Sequence, residues 1–435
     1  MLKIGDKKLI NAWAFYDWAN SVYSLVISTA VFPIYYSSMT ESFQSIEGKV
    51  TFLGTQWNPT TLYDYTMAFS FLIVAILSPI LSGIADYKGN KLGFLKGFCL
   101  LGSLSVMSLF FFDGESTLWV AILFTILASI GFWGSIVFYN AYLPEVAHPE
   151  DQDRVSAKGF INGYVGSILL LIICLVLVEM HETFGLEKGF ATRLSFVLVG
   201  LWWLGFAQIT YRTLPNHKKE NQTDEKVIWK GLSELKLVLK ELKHQPSLKT
   251  FLISFFLFSI GVQTIILMAG IFGSKELELE TSSLILAILL VQFVAIAGAA
   301  LFSRMSKKYG NIAALKTTII IWMLVCFICF FLDKSQENVQ YYFYGLGGLI
   351  GLVLGAIQSL ARSTYSKLLP ETDDHATYFS FYDVTEKIAI VIGMITFGVL
   401  NSVTSSMQYS VLSLAIFFLA SFVVLSFLKG NKYVR

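Results

Sequence analysis

Apolar runs of about 20 residues, the length needed to cross the hydrocarbon core of a bilayer, recur along the whole chain. Only 14% of the 435 residues are charged, whereas a soluble protein carries about 25%. A transmembrane barrel would need alternating strands of about ten residues, which continuous apolar runs exclude. The sequence therefore predicts an all-α membrane protein with twelve transmembrane helices, near residues 10–37, 63–84, 94–112, 117–140, 159–180, 191–212, 249–272, 282–302, 313–332, 341–364, 379–400 and 409–428.

Basic residues are divided unevenly between the two sides of these helices. Of the 32 Lys and Arg residues, 27 lie at the termini and on the connections of the same side, and five lie opposite. Connections rich in Lys and Arg stay in the cytoplasm. We therefore expect both termini of this multi-pass membrane protein in the cytoplasm. The first apolar run exceeds the length of a signal-peptide core, so we expect it to be a retained helix.

The longest connection, residues 213–248, lies at the middle of the chain and falls on the cytoplasmic side. Its first part, 215–226, is polar and is expected to be mobile. Its second part predicts an amphipathic helix that lies on the bilayer surface or docks on the bundle. Its role is either regulation or simple connection of the two halves. The predicted apolar face consists of Ile228, Leu232, Leu235, Leu239 and Leu242.

The two halves of the chain show weak internal repetition. Gly89-Asn90 and Gly310-Asn311 fall in equivalent connections of the two halves. Residues 143–145 and 369–371 both read Leu-Pro-Glu and also occupy equivalent connections. The predicted domains are an N-terminal six-helix bundle (1–212), the linker (213–248) and a C-terminal six-helix bundle (249–435). Transporters with repeated halves place their substrate site near the membrane midplane between them.

The second-to-third helix loop, SGIADYKGNK, resembles the loop signature of the major facilitator superfamily. Asp86, Gly89 and Lys91 match that signature, whereas Ser82 and Asn90 depart from it. More narrowly, AFYDWANSVY, VFYNAYLPEVAHPEDQDRVSAKGFINGYVGS, GAIQSLARSTYSKLLPE and FSFYDVTEKIAIVIG resemble the family of autophagy-related vacuolar amino-acid effluxers and their bacterial relatives, the "unknown major facilitators".

This resemblance implies a major facilitator fold of two pseudo-symmetric bundles and secondary active transport of a small solute by alternating access. It implies amino acids as the substrate class and a location in the bacterial cell membrane. We also expect a coupling proton and function as a monomer. It also places Asp86, with Gly89 and Lys91, at a gating latch between the bundles. A carboxylate there can bind the N-terminus of the eleventh helix, which is expected to begin near Tyr378.

The first apolar run carries polar residues on one face. At 100° per residue, they fall within an arc of about 100°. Unsatisfied polar groups are costly against lipid, so this face is expected to line a translocation path. Asp17 has two open roles: it binds a substrate ammonium or a proton, or it pairs with a cation as a structural group. The residues of this face are Asp17, Asn20, Ser21, Ser24, Ser28 and Tyr35.

Three charged residues enter the eleventh apolar run together. Asp383 and Lys387 are four residues apart and are expected to pair on one helical face. Glu386 then lacks a local partner and is the better candidate for a proton-linked carboxylate. Arg362, at the end of the tenth helix, is its expected counter-ion. A self-neutralised group near the membrane interface is the structural alternative.

Uncharged polar residues inside other predicted helices complete the candidate lining. Each can hydrogen-bond a zwitterion, and each can equally bridge neighbouring helices. Gly159, Gly163 and Ser167 recur every four residues, which favours close helix packing. The candidate lining residues are Asn140, Asn162, Gln263, Gln292 and Gln358.

Several other classes of protein lack sequence support. The chain has no P-loop for ATP hydrolysis, and no pattern of catalytic carboxylates or histidines that predicts an enzyme. Cys326 and Cys329 form a C-x-x-C inside an apolar run, where core or lipid contact is expected rather than metal binding. We expect no cofactor, metal or nucleic-acid partner; the lipid bilayer is the expected environment. The alternatives are a non-transporting receptor or scaffold, and a drug–proton antiporter, which the missing fourth-helix arginine disfavours.

Overall fold

The computed structural model describes residues 2–216, 227–428 and 433–434. Within these ranges, twelve helices are long and apolar enough to cross a membrane, which confirms the predicted all-α fold. We label them α1 (Lys7–Phe43), α2 (Pro59–Lys88), α3 (Lys91–Phe111), α4 (Glu115–Ala141), α5 (Pro149–Glu179), α6 (Lys188–Tyr211), α7 (Pro246–Glu276), α8 (Ser282–Tyr309), α9 (Asn311–Phe330), α10 (Val339–Leu368), α11 (His375–Thr404) and α12 (Met407–Ser426).

Helix α2 shows why the helices extend beyond their apolar runs. The Asn58 side chain accepts hydrogen bonds from the backbone N–H groups of Thr60 and Thr61 at 3.0 and 3.3 Å. Pro59 occupies the first helical turn, where its missing N–H costs nothing. At the other end, Gly89 adopts a φ of 62°, and its N–H returns to the carbonyl of Asp86. These polar caps set helix ends that hydropathy does not detect.

Helix α1 is not a regular α-helix throughout. A π-helical stretch, Tyr23–Ala30, interrupts it and breaks the assumed step of 100° per residue. Beyond this stretch, the Tyr35 hydroxyl donates to the Phe112 carbonyl at 2.8 Å, within the N-terminal bundle. The prediction that Tyr35 continues the polar face of Asp17 is therefore wrong. Ser24, inside the π-helical stretch, is exposed.

The connection between α1 and α2 contains a feature that the sequence analysis did not predict. Strands β1 (Val50–Phe52) and β2 (Thr55–Trp57) pair antiparallel. The two residues between them, Leu53 and Gly54, have φ values of 51° and 75°. Positive φ at both central residues is typical of the turn that matches the twist of a two-residue hairpin.

The helices form two six-helix bundles, α1–α6 and α7–α12. Between the bundles, α5 packs against α8 and α10, and α11 packs against α2 and α4. The N-terminus and the α2–α3 turn lie on the same side of the molecule, which we call the linker side. The hairpin lies on the opposite, distal side.

The linker helix, Val227–Leu242, docks on the bundles against α2 and α11. Val238 is fully buried there, while Leu239, which belongs to the predicted apolar face, is 42% exposed. The Tyr378 hydroxyl donates to the Glu241 carboxylate at 3.0 Å. Residues 217–226, with the predicted mobile segment, and the side chains of Ile228 and Leu232 lie outside the described part of the chain.

Candidate functional site

Asp17 of α1 and Arg362 of α10 form a salt bridge between the two bundles. Oδ2 of Asp17 lies 3.4 Å from Nη1 of Arg362, and both side chains are almost fully buried. The Tyr139 hydroxyl donates to the same carboxylate oxygen at 2.8 Å. The pair joins residues 345 positions apart in the chain. A buried ion pair persists only when further hydrogen bonds satisfy its charges.

The Arg362 guanidinium is satisfied on every side. Its Nε donates to the Ser156 hydroxyl and its Nη2 to the Ser156 carbonyl, both at 2.9 Å. Nη1 donates to Oδ1 of Asn140 at 3.2 Å. The guanidinium carbon also lies 4.9 Å from the ring centre of Trp13 and 4.3 Å from that of Phe160. Cation–π contacts of this kind strengthen when water is excluded. We call this group the Asp17 cluster.

Helix α5 approaches this cluster closely because it presents glycine there. A Cβ atom at Gly159 would collide with the Asp17 carboxylate and lie 2.8 and 3.0 Å from atoms of Tyr139 and Arg362. The predicted close packing at Gly159 is therefore present, and it has a specific purpose: it leaves room for the ion pair. The same geometry corrects the expectation that Arg362 is the counter-ion of Glu386, because the guanidinium is committed to Asp17.

A second charged group lies on α11, and we call it the Glu386 cluster. Lys387 lies 3.1 Å from Asp383 and 3.3 Å from Glu386, so two carboxylates share one ammonium. Gln263 donates to the other Glu386 oxygen at 2.7 Å. The Lys387 ammonium also lies 3.4 Å from the centre of the Trp133 ring, on α4 of the opposite bundle. The expected Asp383–Lys387 pair is present, but Glu386 has two partners rather than none.

The Glu386 cluster is less completely satisfied than the Asp17 cluster. Oδ2 of Asp383 is buried and has no hydrogen-bond partner within the described residues. The Glu386 side chain is 16% exposed, against 2% for Lys387. Buried acceptors without partners are rare and call for an explanation, of which an exchangeable proton is one. Chemically, this cluster offers a negative charge, a positive charge and an amide at one place.

Asp86, at the end of α2, caps the start of α11. Its carboxylate accepts hydrogen bonds from the backbone N–H of Ala376 at 3.3 Å and of Thr377 at 2.7 Å. The Thr377 hydroxyl donates to it as well, at 2.8 Å. Free N–H groups and the helix dipole favour a negative charge at a helix N-terminus. The structure thus joins the two bundles at the position where the sequence placed a latch.

Lys91 contributes to this junction through a different residue. Its ammonium donates to the Glu145 carboxylate, and it lies 5.7 Å from the Tyr142 ring centre. Nδ1 of His375, the first residue of α11, lies 3.2 Å from the same Glu145 oxygen. Burial alone would raise the pKa of Glu145, but the hydrogen bond from His375 and the charge of Lys91 outweigh it and lower that pKa. The start of α11 is therefore held by two carboxylates.

A third junction, which the sequence analysis missed, centres on Asp153 at the start of α5. Lys367 of α10 donates to the Asp153 carboxylate at 2.7 Å. Ser306 of α8 and Asn311 of α9 each donate to it at 2.8 Å. The only signal in the sequence was a carboxylate shortly after the first Leu-Pro-Glu, residues 143–145. Its partners are more than 150 positions away.

The remaining polar candidates differ in what their side chains contact. Asn162 donates to the Ala14 carbonyl at 3.1 Å and so bridges α5 to α1 within one bundle. Gln358 accepts a hydrogen bond from the Tyr164 hydroxyl at 3.3 Å, between the bundles. Asn20 is fully buried, and its amide nitrogen lacks a partner within the described residues.

The hydrogen bonds between the bundles are distributed asymmetrically. Within the described part of the chain, all of them lie at the Tyr164–Gln358 pair or between it and the linker side. The structure therefore represents a state in which the two bundles are joined on the linker side.

Comparison with known proteins identifies the family of this chain. The family described as "Vacuole effluxer Atg22 like" matches residues 5–435. The MFS-type transporter YxiO of Bacillus subtilis is 33% identical over 426 residues, which cover 96% of this chain and 94% of that protein. The chain belongs to the Atg22-like family. Autophagy-related protein 22-1 of Penicillium rubens is 24% identical, covering 85% of this chain and 74% of that protein.

Solved structures show that this Atg22-like chain has the major facilitator fold. The proton:xylose symporter XylE, bound to 6-bromo-6-deoxy-D-glucose, superposes with a TM-score of 0.70 at 12% identity, covering 98% of this chain and 96% of that one. FucP in the outward conformation gives a TM-score of 0.66 at 13% identity, covering 98% of both chains. The Atg22-like protein is thus a multi-pass membrane protein of a transporter family and not an enzyme.

Proposed function

We propose that the protein is a secondary active transporter that moves a small solute by alternating access, and that the structure represents its state closed on the linker side. The asymmetry of the junctions between the bundles carries this proposal. The structural neighbour FucP is described in the outward conformation. Opening the linker side requires the Asp17, Asp86 and Asp153 junctions to separate, while residues 1–212 and 249–435 move as two bodies.

We place substrate recognition and coupling at the Glu386 cluster. It presents carboxylates and an ammonium together, which match the two charges of a zwitterion, and its Glu386 side chain is accessible. Amino acids are the class that the resemblance to vacuolar effluxers favours. Proton coupling is supported by the incompletely paired carboxylates, and two fold neighbours, FucP and XylE, are described as proton symporters. The Asp17 cluster, whose ion pair is almost fully buried between the bundles, acts in gating in this proposal.

A flux measurement tests the proposed activity. A thermal-shift screen of the purified protein against amino acids, peptides and nucleosides selects a ligand, because a binder at 100 times its Kd stabilises by about 2.7 kcal/mol. The ligand is then followed into proteoliposomes with and without an imposed pH gradient. We expect saturable uptake of an amino acid that the gradient enhances. Stabilising ligands without any flux would instead support a receptor or scaffold.

The linker side is proposed to face the cytoplasm, on the strength of its 27 basic residues against five on the distal side. Single cysteines at Asn221 and Gly54 are labelled in intact cells with an impermeant thiol reagent. We expect labelling at Gly54 alone before permeabilisation. Labelling of Asn221 from outside the intact cell contradicts this orientation.

A further inference from the structure

A groove of about 310 Å³ lies beside the linker helix, on the outer surface of the C-terminal bundle. Its walls come from α7, α11 and the last residue of the linker helix. Its volume falls at the low end of small-molecule sites. The lining residues are Leu242, Lys249, Leu252, Ile253, Phe256, Thr385 and Ile388.

The groove opens toward the hydrocarbon part of the bilayer. Ile253 and Ile388 belong to membrane-spanning helices, yet 44% and 47% of their surfaces are exposed. Exposed apolar side chains on such helices contact lipid. Thr385 is the only uncharged polar residue among the described lining residues. Its hydroxyl donates to the carbonyl of Phe381 in its own helix and leaves the wall apolar. An occupant of this groove must therefore be an apolar chain.

A positive charge marks one end of the groove. Lys249 lies in the first turns of α7, on the linker side, where a long basic side chain reaches the headgroup region. It is exposed and forms no salt bridge within the described residues. Lys240 and Lys243, on the adjoining linker helix and just after it, are also exposed. Basic pockets beside membrane-spanning helices on this side bind anionic lipid headgroups.

We propose that this groove binds a phospholipid with an anionic headgroup. One acyl chain lies along Leu252, Ile253 and Phe256, and the headgroup phosphate contacts Lys249. Such a lipid touches the linker helix, α7 and α11 at once. It borders Thr385, the residue immediately before Glu386, so it stabilises the docked linker helix against the helix that carries the Glu386 cluster.

Native mass spectrometry of the full-length protein tests the site with phosphatidylglycerol and phosphatidylcholine of identical acyl chains. The wild type is expected to retain phosphatidylglycerol preferentially. Lys249→Gln is expected to lower phosphatidylglycerol affinity about fivefold, since one basic residue at a membrane surface contributes about that factor. Its affinity for phosphatidylcholine should fall less, because the choline group already offsets the phosphate charge of that lipid. Lys307→Gln, which removes an exposed linker-side lysine on α8, is the matched control and should behave as wild type.

Ile253→Trp tests the acyl-chain half of the site, because the larger ring fills the groove and leaves every charge in place. It is expected to reduce retention of both lipids, whereas Ile320→Trp, at another lipid-exposed position, should reduce neither. Wild-type lipid preference in Lys249→Gln, or undiminished retention in Ile253→Trp, overturns the proposal. Competition by millimolar inorganic phosphate alone would show a free-anion site and would overturn it as well. Both positions are exposed, so monodisperse elution serves as the folding check.

Discussion

In the Asp17 cluster one carboxylate meets one guanidinium, whereas in the Glu386 cluster two carboxylates share one ammonium. Around Arg362, serine and asparagine oxygens accept the remaining N–H groups. Around Lys387, one Asp383 oxygen is left without a partner within the described residues, and Glu386 retains access to solvent. Both groups lie between membrane-spanning helices and reach across to the opposite bundle. Asp17 does so through its ion pair with Arg362, and Lys387 does so through its contact with the Trp133 ring.

The difference separates two uses of buried charge. A buried ion pair whose guanidinium is fully hydrogen-bonded is costly to disturb in either partner, which suits a junction that opens and closes as a unit. In a group with more carboxylates than basic side chains, the two negative charges repel each other, and one carboxylate can take up a proton or a ligand. We therefore assign gating to the first cluster and coupling to the second, and four predictions test that division.

The largest expected effect is on stability, in Asp17→Asn. Removal of one partner from a buried pair leaves the Arg362 charge uncompensated and destabilises the linker-closed state by about 3–5 kcal/mol. Thermal unfolding in detergent should show a clear decrease in Tm. The double variant Asp17→Asn/Arg362→Gln should recover part of the loss, because it removes the orphaned charge. Additive losses in the double variant would show that the two residues do not act as a pair.

The second prediction concerns the Asp86 junction, which joins the bundles through the N–H groups at the start of α11 rather than through a salt bridge. Asp86→Asn should weaken the linker-side closure by about 1–2 kcal/mol, the difference between a charged and a neutral acceptor. A Ser359→Cys probe, buried between the bundles, should then react faster with thiol reagents from the linker side. The four native cysteines are buried, and their reactivity is measured in parallel. An unchanged rate together with unchanged transport would remove Asp86 from the gate.

Glu386→Gln tests the coupling half of the division. If Glu386 carries the coupled proton, a gradient of one pH unit no longer drives the roughly tenfold accumulation that it can supply. Exchange of labelled for unlabelled substrate should continue, because it needs no net proton movement and the Asp383 carboxylate and the Lys387 ammonium remain to bind the substrate. Glu337→Gln, at an exposed position on the distal side, is the control. Retained gradient-driven accumulation in Glu386→Gln would assign coupling to another residue.

The smallest expected effect concerns Glu145, outside the membrane-spanning segments. Its folded-state pKa is lowered, so its contribution to stability is complete above the unfolded pKa of about 4.3 and is lost as the pH falls through the folded value. Stability of the wild type should therefore decline in that acid range more than stability of Glu145→Gln. The check is Tm as a function of pH for both proteins. Parallel curves would show that the contacts with Lys91 and His375 do not stabilise the folded state.

The sequence predicts much of the fold because hydropathy and helix length are properties of local segments. All twelve spans appear near their predicted positions, and most helices begin earlier than predicted because caps such as Asn58 lie in polar sequence. The π-helical stretch Tyr23–Ala30 has no counterpart in an apolar pattern, so the position of Tyr35 was mispredicted. In the linker helix, the fully buried residue is Val238, which the predicted apolar face did not include.

The site was only partly predictable, for a different reason. A charged residue inside a membrane-spanning helix is energetically costly and therefore rare. Asp17, Arg362 and the three charged residues of α11 could thus be recognised individually from the sequence. Their pairing depends on which helices meet in space. Arg362 could be matched to Glu386 or Asp17 with equal justification until the α10–α5–α1 contact was known. Asp153 could not be singled out from the sequence because it lies in a polar stretch, where a charged carboxylate has no energetic penalty that marks it as functional.

The most direct test of the division is the distance between the bundles on the linker side in Asp17→Asn. Spin labels at Glu150 and Glu371, exposed positions of opposite bundles, report this distance by double electron–electron resonance. We predict that the wild type shows mainly the short, closed distance and that Asp17→Asn shifts the population toward a longer one, while Glu386→Gln does not. An unchanged distance distribution in Asp17→Asn, accompanied by loss of substrate binding, would contradict the account and place Asp17 at the substrate instead of the gate.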